Sequence, residues 1–156
     1  MIKIWSRSGL LRSTLAQTDS MVHSLSWSPD SNAVAFSSGK DVIVKPVAPQ
    51  AKQLNWKAHE GVVLAVDWNS VNNLIVTGGE DRKYKVWDAF GRPMFQSKPL
   101  EFAVTTVAWS SSGEHFAVGL YNSIRLCDRT VSAAAQPPRR MRGTGARLLQ
   151  GSRFHV

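Results

Sequence analysis

Three tryptophans, Trp27, Trp68 and Trp109, recur at intervals of 41 residues (27 to 68 and 68 to 109). The flanking residues repeat in the same register, and glycines stand at positions 39, 79 and 119. The repeating apolar positions lie two before, five before and seven after each tryptophan: Leu25, Val66 and Val107; Val22, Val63 and Val104; Val34, Ile75 and Phe116. A period of roughly 40–45 residues built from short strands is typical of propeller arrays. We therefore expect part of an interaction platform in which Trp27, Trp68 and Trp109 belong to the repeat core.

The strand pattern is clearest in the middle unit, where four short segments are separated by turn residues. The expected strands are 62–69, 73–77, 83–88 and 94–97, with turns at 78–81 and 91–93. Such spacing favours an all-β fold of four-stranded blades. We expect three blades at about 19–57, 58–98 and 99–130, and one strand of a preceding blade at 2–6. Because propellers typically close with 4–8 blades, we interpret residues 1–130 as a partial propeller.

Composition narrows the class of protein. The hydrophobic content of 43% suits a folded soluble domain. The longest apolar run is Val62–Val66, which is too short to span a membrane, and the N-terminus lacks the apolar core of a signal peptide. The single cysteine, Cys127, fits a reducing compartment and leaves no internal disulfide. We expect a cytoplasmic chain with no metal site and no cofactor.

Charge is unevenly distributed along the chain, whose net charge is +8. Residues 1–130 hold 14 basic and 11 acidic side chains, whereas residues 131–156 hold five arginines and no acid. The Ala/Pro/Arg-rich composition predicts a disordered basic tail over 131–156. An alternative function is therefore binding of nucleic acid or another acidic surface through this tail, with an affinity that falls steeply with salt.

In the middle unit, Lys57-Ala58-His59, Thr77–Asp81 and Val86-Trp87-Asp88 resemble the WD40 family. The resemblance implies that His59, Thr77, Asp81 and Trp87 form a hydrogen-bonded network that ties a blade's turns to its strands. The resemblance implies that Trp87 donates to Thr77, Thr77 to His59, and His59 to Asp81. Leaving any of these buried groups unpaired would cost roughly 1–3 kcal/mol.

In the outer units, Thr18 and Leu100 stand at the positions that correspond to His59. Lys45 and Cys127 stand near the positions that correspond to Trp87. We therefore expect apolar packing, more than the polar network, to hold those two blades.

Other candidate sites have weaker support. A nucleophilic triad of Thr77, His59 and Asp81 is disfavoured because Thr77 lies inside an apolar strand. His23 is expected on the first strand as a partly exposed residue, and Cys127 as a small apolar one. Four basic residues near blade turns could form a partner-contact rim or be solvated turn charges: Lys40, Lys57, Arg82 and Lys83.

Longer strings resemble one family within the WD40 proteins, that of intraflagellar transport protein 80. They include residues 2–6, 11–17, 56–59, 66–72, 83–88 and 124–128. The resemblance covers residues 1–130 and implies a subunit of the intraflagellar transport B complex, located at the cilium, axoneme and basal body. The sequence after Thr130 departs from the family, which suggests an alternative ending or a fragment.

We therefore expect a non-catalytic scaffold that acts in cilium assembly and transport by binding other subunits of that complex. Open blade edges could also lead to self-association.

Overall fold

The computed structural model describes residues 1–129, which form thirteen short β-strands. They are β1 (Ile2–Trp5), β2 (Leu11–Ala16), β3 (Leu25–Trp27), β4 (Ala33–Ser38), β5 (Asp41–Pro46), β6 (Leu54–Lys57), β7 (Val63–Trp68), β8 (Ile75–Gly79), β9 (Tyr84–Trp87), β10 (Pro93–Gln96), β11 (Thr106–Trp109), β12 (His115–Gly119) and β13 (Ile124–Asp128). No helix in this part of the chain has the length and apolar character needed to cross a membrane.

The strands form four antiparallel sheets, in each of which strands that follow one another along the chain are neighbours. We call β1–β2 the N-terminal sheet, β3–β6 the first blade, β7–β10 the second blade and β11–β13 the third blade. The all-β, partial-propeller fold predicted from the sequence is confirmed, with two complete four-stranded sheets.

The repeat register appears directly in the strand pairing. The tryptophan that ends the first strand of each blade lies opposite the apolar residue seven positions later, as in the pair Trp68 and Ile75. The equivalent pairs are Trp27 with Val34 and Trp109 with Phe116. Equivalent positions of the sequence repeat therefore form equivalent cross-strand pairs in the three blades.

The outer sheets differ in strand number from the sequence expectation. The N-terminal sheet has a second strand, β2, which pairs with β1 through irregular register. Within residues 1–129 the third blade has three strands, whereas four are expected for each unit. Sequence reasoning missed β2 because its residues Leu11–Thr14 are exposed and give no apolar alternation.

Apolar cores lie between successive sheets because side chains alternate in direction along each strand. In the second blade, Ile75 and Trp87 pack towards the first blade, whereas Val76 and Val86 pack towards the third. A smaller cluster joins the N-terminal sheet to the first blade through Ile2, Val34 and Phe36. Each sheet interface therefore has its own core.

Candidate functional site

The polar network of the second blade joins two strands to two loops. The indole Nε1 of Trp87 in β9 donates to the hydroxyl of Thr77 in β8 over 3.0 Å. His59 lies in the loop before β7; its Nε2 is 2.7 Å from Thr77 Oγ1 and its Nδ1 is 2.8 Å from Asp81 Oδ1. Asp81 lies in the turn between β8 and β9. The structure thus brings together all four residues indicated by the WD40 resemblance, and we call them the tetrad.

Local backbone geometry positions the histidine. The backbone N–H of His59 donates to the carbonyl of Lys40 in the first blade over 3.1 Å. A Cβ atom on residue 79 would lie 2.9 Å from the Val62 carbonyl oxygen and 3.0 Å from His59 Cγ. Gly79 therefore allows the imidazole to approach the end of β8, which a larger residue would prevent.

Burial and hydrogen bonding fix the protonation of this pair. Burial lowers the pKa of His59, against the opposing effect of the Asp81 hydrogen bond. Burial alone would raise the pKa of Asp81, but the hydrogen bond from His59 and those from the Glu60 and Lys83 amides lower it overall. The consistent arrangement is a neutral imidazole whose Nδ1–H donates to a carboxylate and whose Nε2 accepts from Thr77.

The geometry of the tetrad is that of a structural network. Thr77 is fully buried, at 0% exposure, and its oxygen already contacts both Trp87 and His59. A substrate cannot reach such a hydroxyl, and nucleophilic catalysis requires that it does. What these residues can do is hold the β8–β9 turn and the loop before β7 at fixed positions.

Residues of other types replace the tetrad in the other blades. The rung of Thr77, which lies opposite Val66, is occupied by Phe36 in the first blade and Val118 in the third. In the outer repeats the positions that correspond to His59 hold Thr18, whose hydroxyl donates to the Ser20 carbonyl, and Leu100, which packs beside the third-blade core.

The outer blades also differ from the second blade at the position of Trp87. Lys45 lies opposite Val34, and Cys127 lies opposite Phe116, as Trp87 lies opposite Ile75. Cys127 packs against the apolar cluster of the third blade, where burial raises the pKa of its thiol. The tetrad therefore belongs to the second blade alone among residues 1–129.

The four basic residues of the candidate rim surround the loops that the tetrad holds. Lys40 is exposed, and its carbonyl accepts from the amides of Ala58 and His59. Lys57 is exposed and pairs with Glu60 at 2.7 Å.

Arg82 and Lys83 follow Asp81 directly. Arg82 is exposed and has φ +64°, with its carbonyl accepting from the Leu100 amide at 2.7 Å. Lys83 is half-exposed, and its amide donates to Asp81 Oδ1. Sequence reasoning missed a fifth basic residue beside this group. Lys85 is half-buried, donates to the Ala58 carbonyl at 2.6 Å and lies 5.6 Å from the Trp87 ring centre.

The three repeat tryptophans differ in burial, which corrects one expectation. Trp68 is 8% exposed and lies in the core between the first and second blades, and Trp109 is half-buried against Phe116. Trp27 is 46% exposed and is not a core residue. It stands outside the cluster formed with the N-terminal sheet, which has two strands and therefore covers less of the first blade than a four-stranded sheet would.

A second polar feature joins the innermost strands of all three blades, and the sequence analysis did not identify it. Asp67 Oδ1 accepts from the Ser26 hydroxyl at 3.1 Å, and Oδ2 accepts from the Trp109 amide at 2.6 Å. The Trp68 amide donates to Ser26 Oγ at 3.0 Å. Burial raises the pKa of Asp67, which these hydrogen bonds oppose. The signal was present in the repeat, since Ser26 and Asp67 each directly precede a repeat tryptophan.

The remaining candidate residues stand outside these networks. His23 precedes β3 and is not on the first strand as expected, because the strand begins at Leu25. Its side chain is exposed, and its backbone amide donates to Ser37 Oγ at 3.0 Å. The basic tail at 131–156, on which the nucleic-acid alternative depends, lies outside the described residues.

Comparison with known proteins places the chain among propeller proteins. Residues 50–88 match the family model described as WD domain, G-beta repeat. The chain is 56% identical over 129 residues to the intraflagellar transport protein 80 homolog of Mus musculus and to that of Rattus norvegicus. Each alignment covers 83% of this chain and 17% of the relative, so the chain spans less than a fifth of those proteins. It is also 30% identical over 114 residues to the WD repeat-containing protein srw1 of Schizosaccharomyces pombe (strain 972 / ATCC 24843), covering 70% of this chain and 20% of that protein.

Proposed function

Because this chain belongs to the WD40-repeat family, we propose that it acts by binding other proteins, as a scaffold segment in intraflagellar transport. The observation that carries the proposal is the 56% identity to intraflagellar transport protein 80 homologs over 129 residues, which is 83% of this chain. The partners would be other subunits of the intraflagellar transport B complex. The chain would then act in the cytoplasm and at the cilium, its axoneme and its basal body.

The contact surface in this proposal is the rim around the tetrad, formed by Lys40, Lys57, Arg82 and Lys83. The tetrad fixes the backbone that carries these side chains, so a partner meets a preorganised surface and loses less conformational entropy on binding. The basic character of the rim favours an acidic partner surface and would raise the association rate at low salt.

No catalytic step forms part of this function. The hydroxyl, imidazole and carboxylate of the tetrad are used in satisfying one another inside the blade, and Thr77 is fully buried. The exposed groups nearby are lysine and arginine side chains at turns, which suit recognition. The tetrad thus supports binding indirectly, through the shape of the rim.

Affinity purification tests the proposal directly. The tagged full chain is expressed in ciliated cells, and transport-complex subunits that copurify are quantified by mass spectrometry. A variant with glutamate at the four rim positions should recover fewer subunits than the unmodified chain, because its rim carries the opposite charge.

The matched control places the same change on exposed basic residues elsewhere: Lys3→Glu, Arg7→Glu, Arg12→Glu and Lys52→Glu. Both variants must first show the urea midpoint of the parent chain. Equal recovery by rim variant and control would exclude the rim as the contact. Failure of the unmodified chain to recover any transport subunit would exclude the proposed function itself.

A further inference from the structure

A pocket of about 310 Å³ lies between the first and second blades, at the β3–β4 and β7–β8 turns. Its walls include Pro29 and Val71, one from each blade, together with Trp68 and Asn73. The Trp68 indole Nε1 donates to Asn73 Oδ1 at 2.7 Å, which places the edge of the indole beside the pocket. A volume near the lower limit for small-molecule pockets fits a single long side chain better than a larger ligand.

The pocket and the basic rim lie at opposite ends of the first strand of the second blade. Strand β7 begins at Val63, shortly after the loop that carries His59, and ends at Trp68 in the pocket wall. Its six residues span about 17 Å from the first Cα to the last. A ligand in this pocket therefore leaves the rim accessible to a different partner.

The gap between the second and third blades differs in both shape and charge. Asn72 Nδ2 donates to the Gly113 carbonyl at 2.9 Å, and a Cβ atom on residue 113 would lie 3.0 Å from the Val71 Cβ. The two turns are therefore in direct contact there. The position one repeat after Asp30 (30 to 71) holds Val71, so the carboxylate is also particular to the first gap.

The Asp30 carboxylate is held in place by its own turn. Its Oδ1 accepts from the Ser28 hydroxyl at 2.6 Å and from the Asn32 amide at 3.1 Å, and its Oδ2 accepts from Asn32 Nδ2 at 3.2 Å. The Ser28 hydrogen bond, followed by that from the Asn32 amide, lowers the pKa of Asp30 and keeps the group ionised at neutral pH. A carboxylate offers about four lone-pair sites, so one site on Oδ2 is available to a further donor.

The charge of Asp30 and the walls around it match an arginine side chain. Among residues 1–129 no basic side chain forms an ion pair with Asp30. A guanidinium group is planar and weakly hydrated, and its five N–H donors can reach acceptors on two walls, here Asp30 Oδ2 and Asn73 Oδ1. The methylene stem of the same side chain can pack against Pro29 and Val71.

We propose that this pocket binds an arginine side chain of a partner protein, with the guanidinium on the Asp30 carboxylate and the methylene stem between Pro29 and Val71. The partner presents an exposed basic segment, in contrast to the acidic surface that suits the rim. The chain thereby holds two partners of opposite charge at opposite ends of one blade. This site does not depend on the rim, and loss of rim binding would leave it intact.

The test titrates N-acetyl-arginine methylamide into the full ¹⁵N-labelled chain. The Trp68 indole N–H and the Asn73 side-chain amide should shift and saturate, whereas the amides of the β8–β9 turn should stay in place. The citrulline analogue has nearly the same shape but no charge. It should bind about two- to fivefold more weakly, because an ion pair at a solvent-exposed carboxylate contributes modestly.

This comparison of probes needs no variant chain, so it does not depend on any substitution being tolerated. Equal affinity for the arginine and citrulline probes, or shifts confined to the β8–β9 turn, would overturn the proposal. N-acetyl-lysine methylamide should also bind more weakly than the arginine probe. Equal affinity for these two probes would overturn the assignment to a guanidinium group.

Two variants test the contacts separately. Asp30→Asn should abolish the preference for arginine over citrulline, whereas Asp19→Asn, which removes an exposed carboxylate outside the pocket, should preserve it. Val71 is 64% exposed, and Val71→Ser should reduce the advantage of the arginine probe over methylguanidinium, which has no stem. An unchanged preference in Asp30→Asn, or an equal loss in Asp19→Asn, would contradict pairing with Asp30.

Discussion

Replacing His59 with alanine tests the tetrad most sharply. The imidazole is buried, at 1% exposure, and bonds to Thr77 Oγ1 and Asp81 Oδ1. Removing it leaves the fully buried Thr77 hydroxyl without its acceptor, at a cost of about 1–3 kcal/mol. The cavity left by the ring adds to this, whereas Asp81 is partly exposed and can bind water. We therefore expect the free energy of unfolding to fall by about 2–4 kcal/mol.

Urea unfolding of the full chain, followed by tryptophan fluorescence, measures this loss. His115→Ala is the matched control, because His115 is exposed and pairs with Asp128 only at the surface. The control should change the free energy of unfolding by no more than about 0.5 kcal/mol. A loss for His59→Ala as small as that of the control would refute the buried network.

Three further perturbations test the account by urea unfolding. Burial lowers the pKa of His59 from 6.5, so the unfolded chain binds the proton more tightly than the folded chain does. The difference in free energy of unfolding between the parent and His59→Ala should therefore shrink as the pH falls from about 7.5 to about 5.5. Its persistence at the lower pH would show that the folded state accepts a charged His59. Gly78→Ala should cost about 1–3 kcal/mol, because the new Cβ would lie 2.2 Å from Val104 Cγ1. Adding Val104→Ala should then cost less than it does in the parent chain, and strict additivity would contradict the clash. Asp67→Ala should cost about 1–3 kcal/mol, because the Trp109 amide and the Ser26 hydroxyl lose an acceptor; an unchanged urea midpoint would show that the inner strands do not depend on this carboxylate.

The sequence repeat predicted the blades because it is a property of buried positions. Trp68, Ile75 and Val63 occur where the core of a blade interface requires large apolar groups, so their spacing records the fold. Strand β2 left no such record, because most of its side chains are exposed. The repeat pattern could not predict the exposure of Trp27 either, since that exposure depends on how many side chains the adjacent sheet supplies.

The tetrad could be located through the resemblance to WD40 blades, because each of its members requires a particular partner. The Asp67 bridge could not be located in the same way. It links residues about one repeat apart in sequence that become neighbours only when the inner strands of successive blades pack together.

Amide hydrogen exchange of the full chain tests the central claim, that successive blades are docked and cross-linked into one rigid platform. The Val66 amide donates to Ser24 and the Trp109 amide donates to Asp67, in each case a side chain of the neighbouring blade. These hydrogen bonds protect the two amides from exchange only while the blades remain together. We expect these two amides to exchange far more slowly than those of the exposed strand β2. Exchange at the rate of β2 would mean that the blades separate freely, and the account of a preorganised binding platform would be wrong.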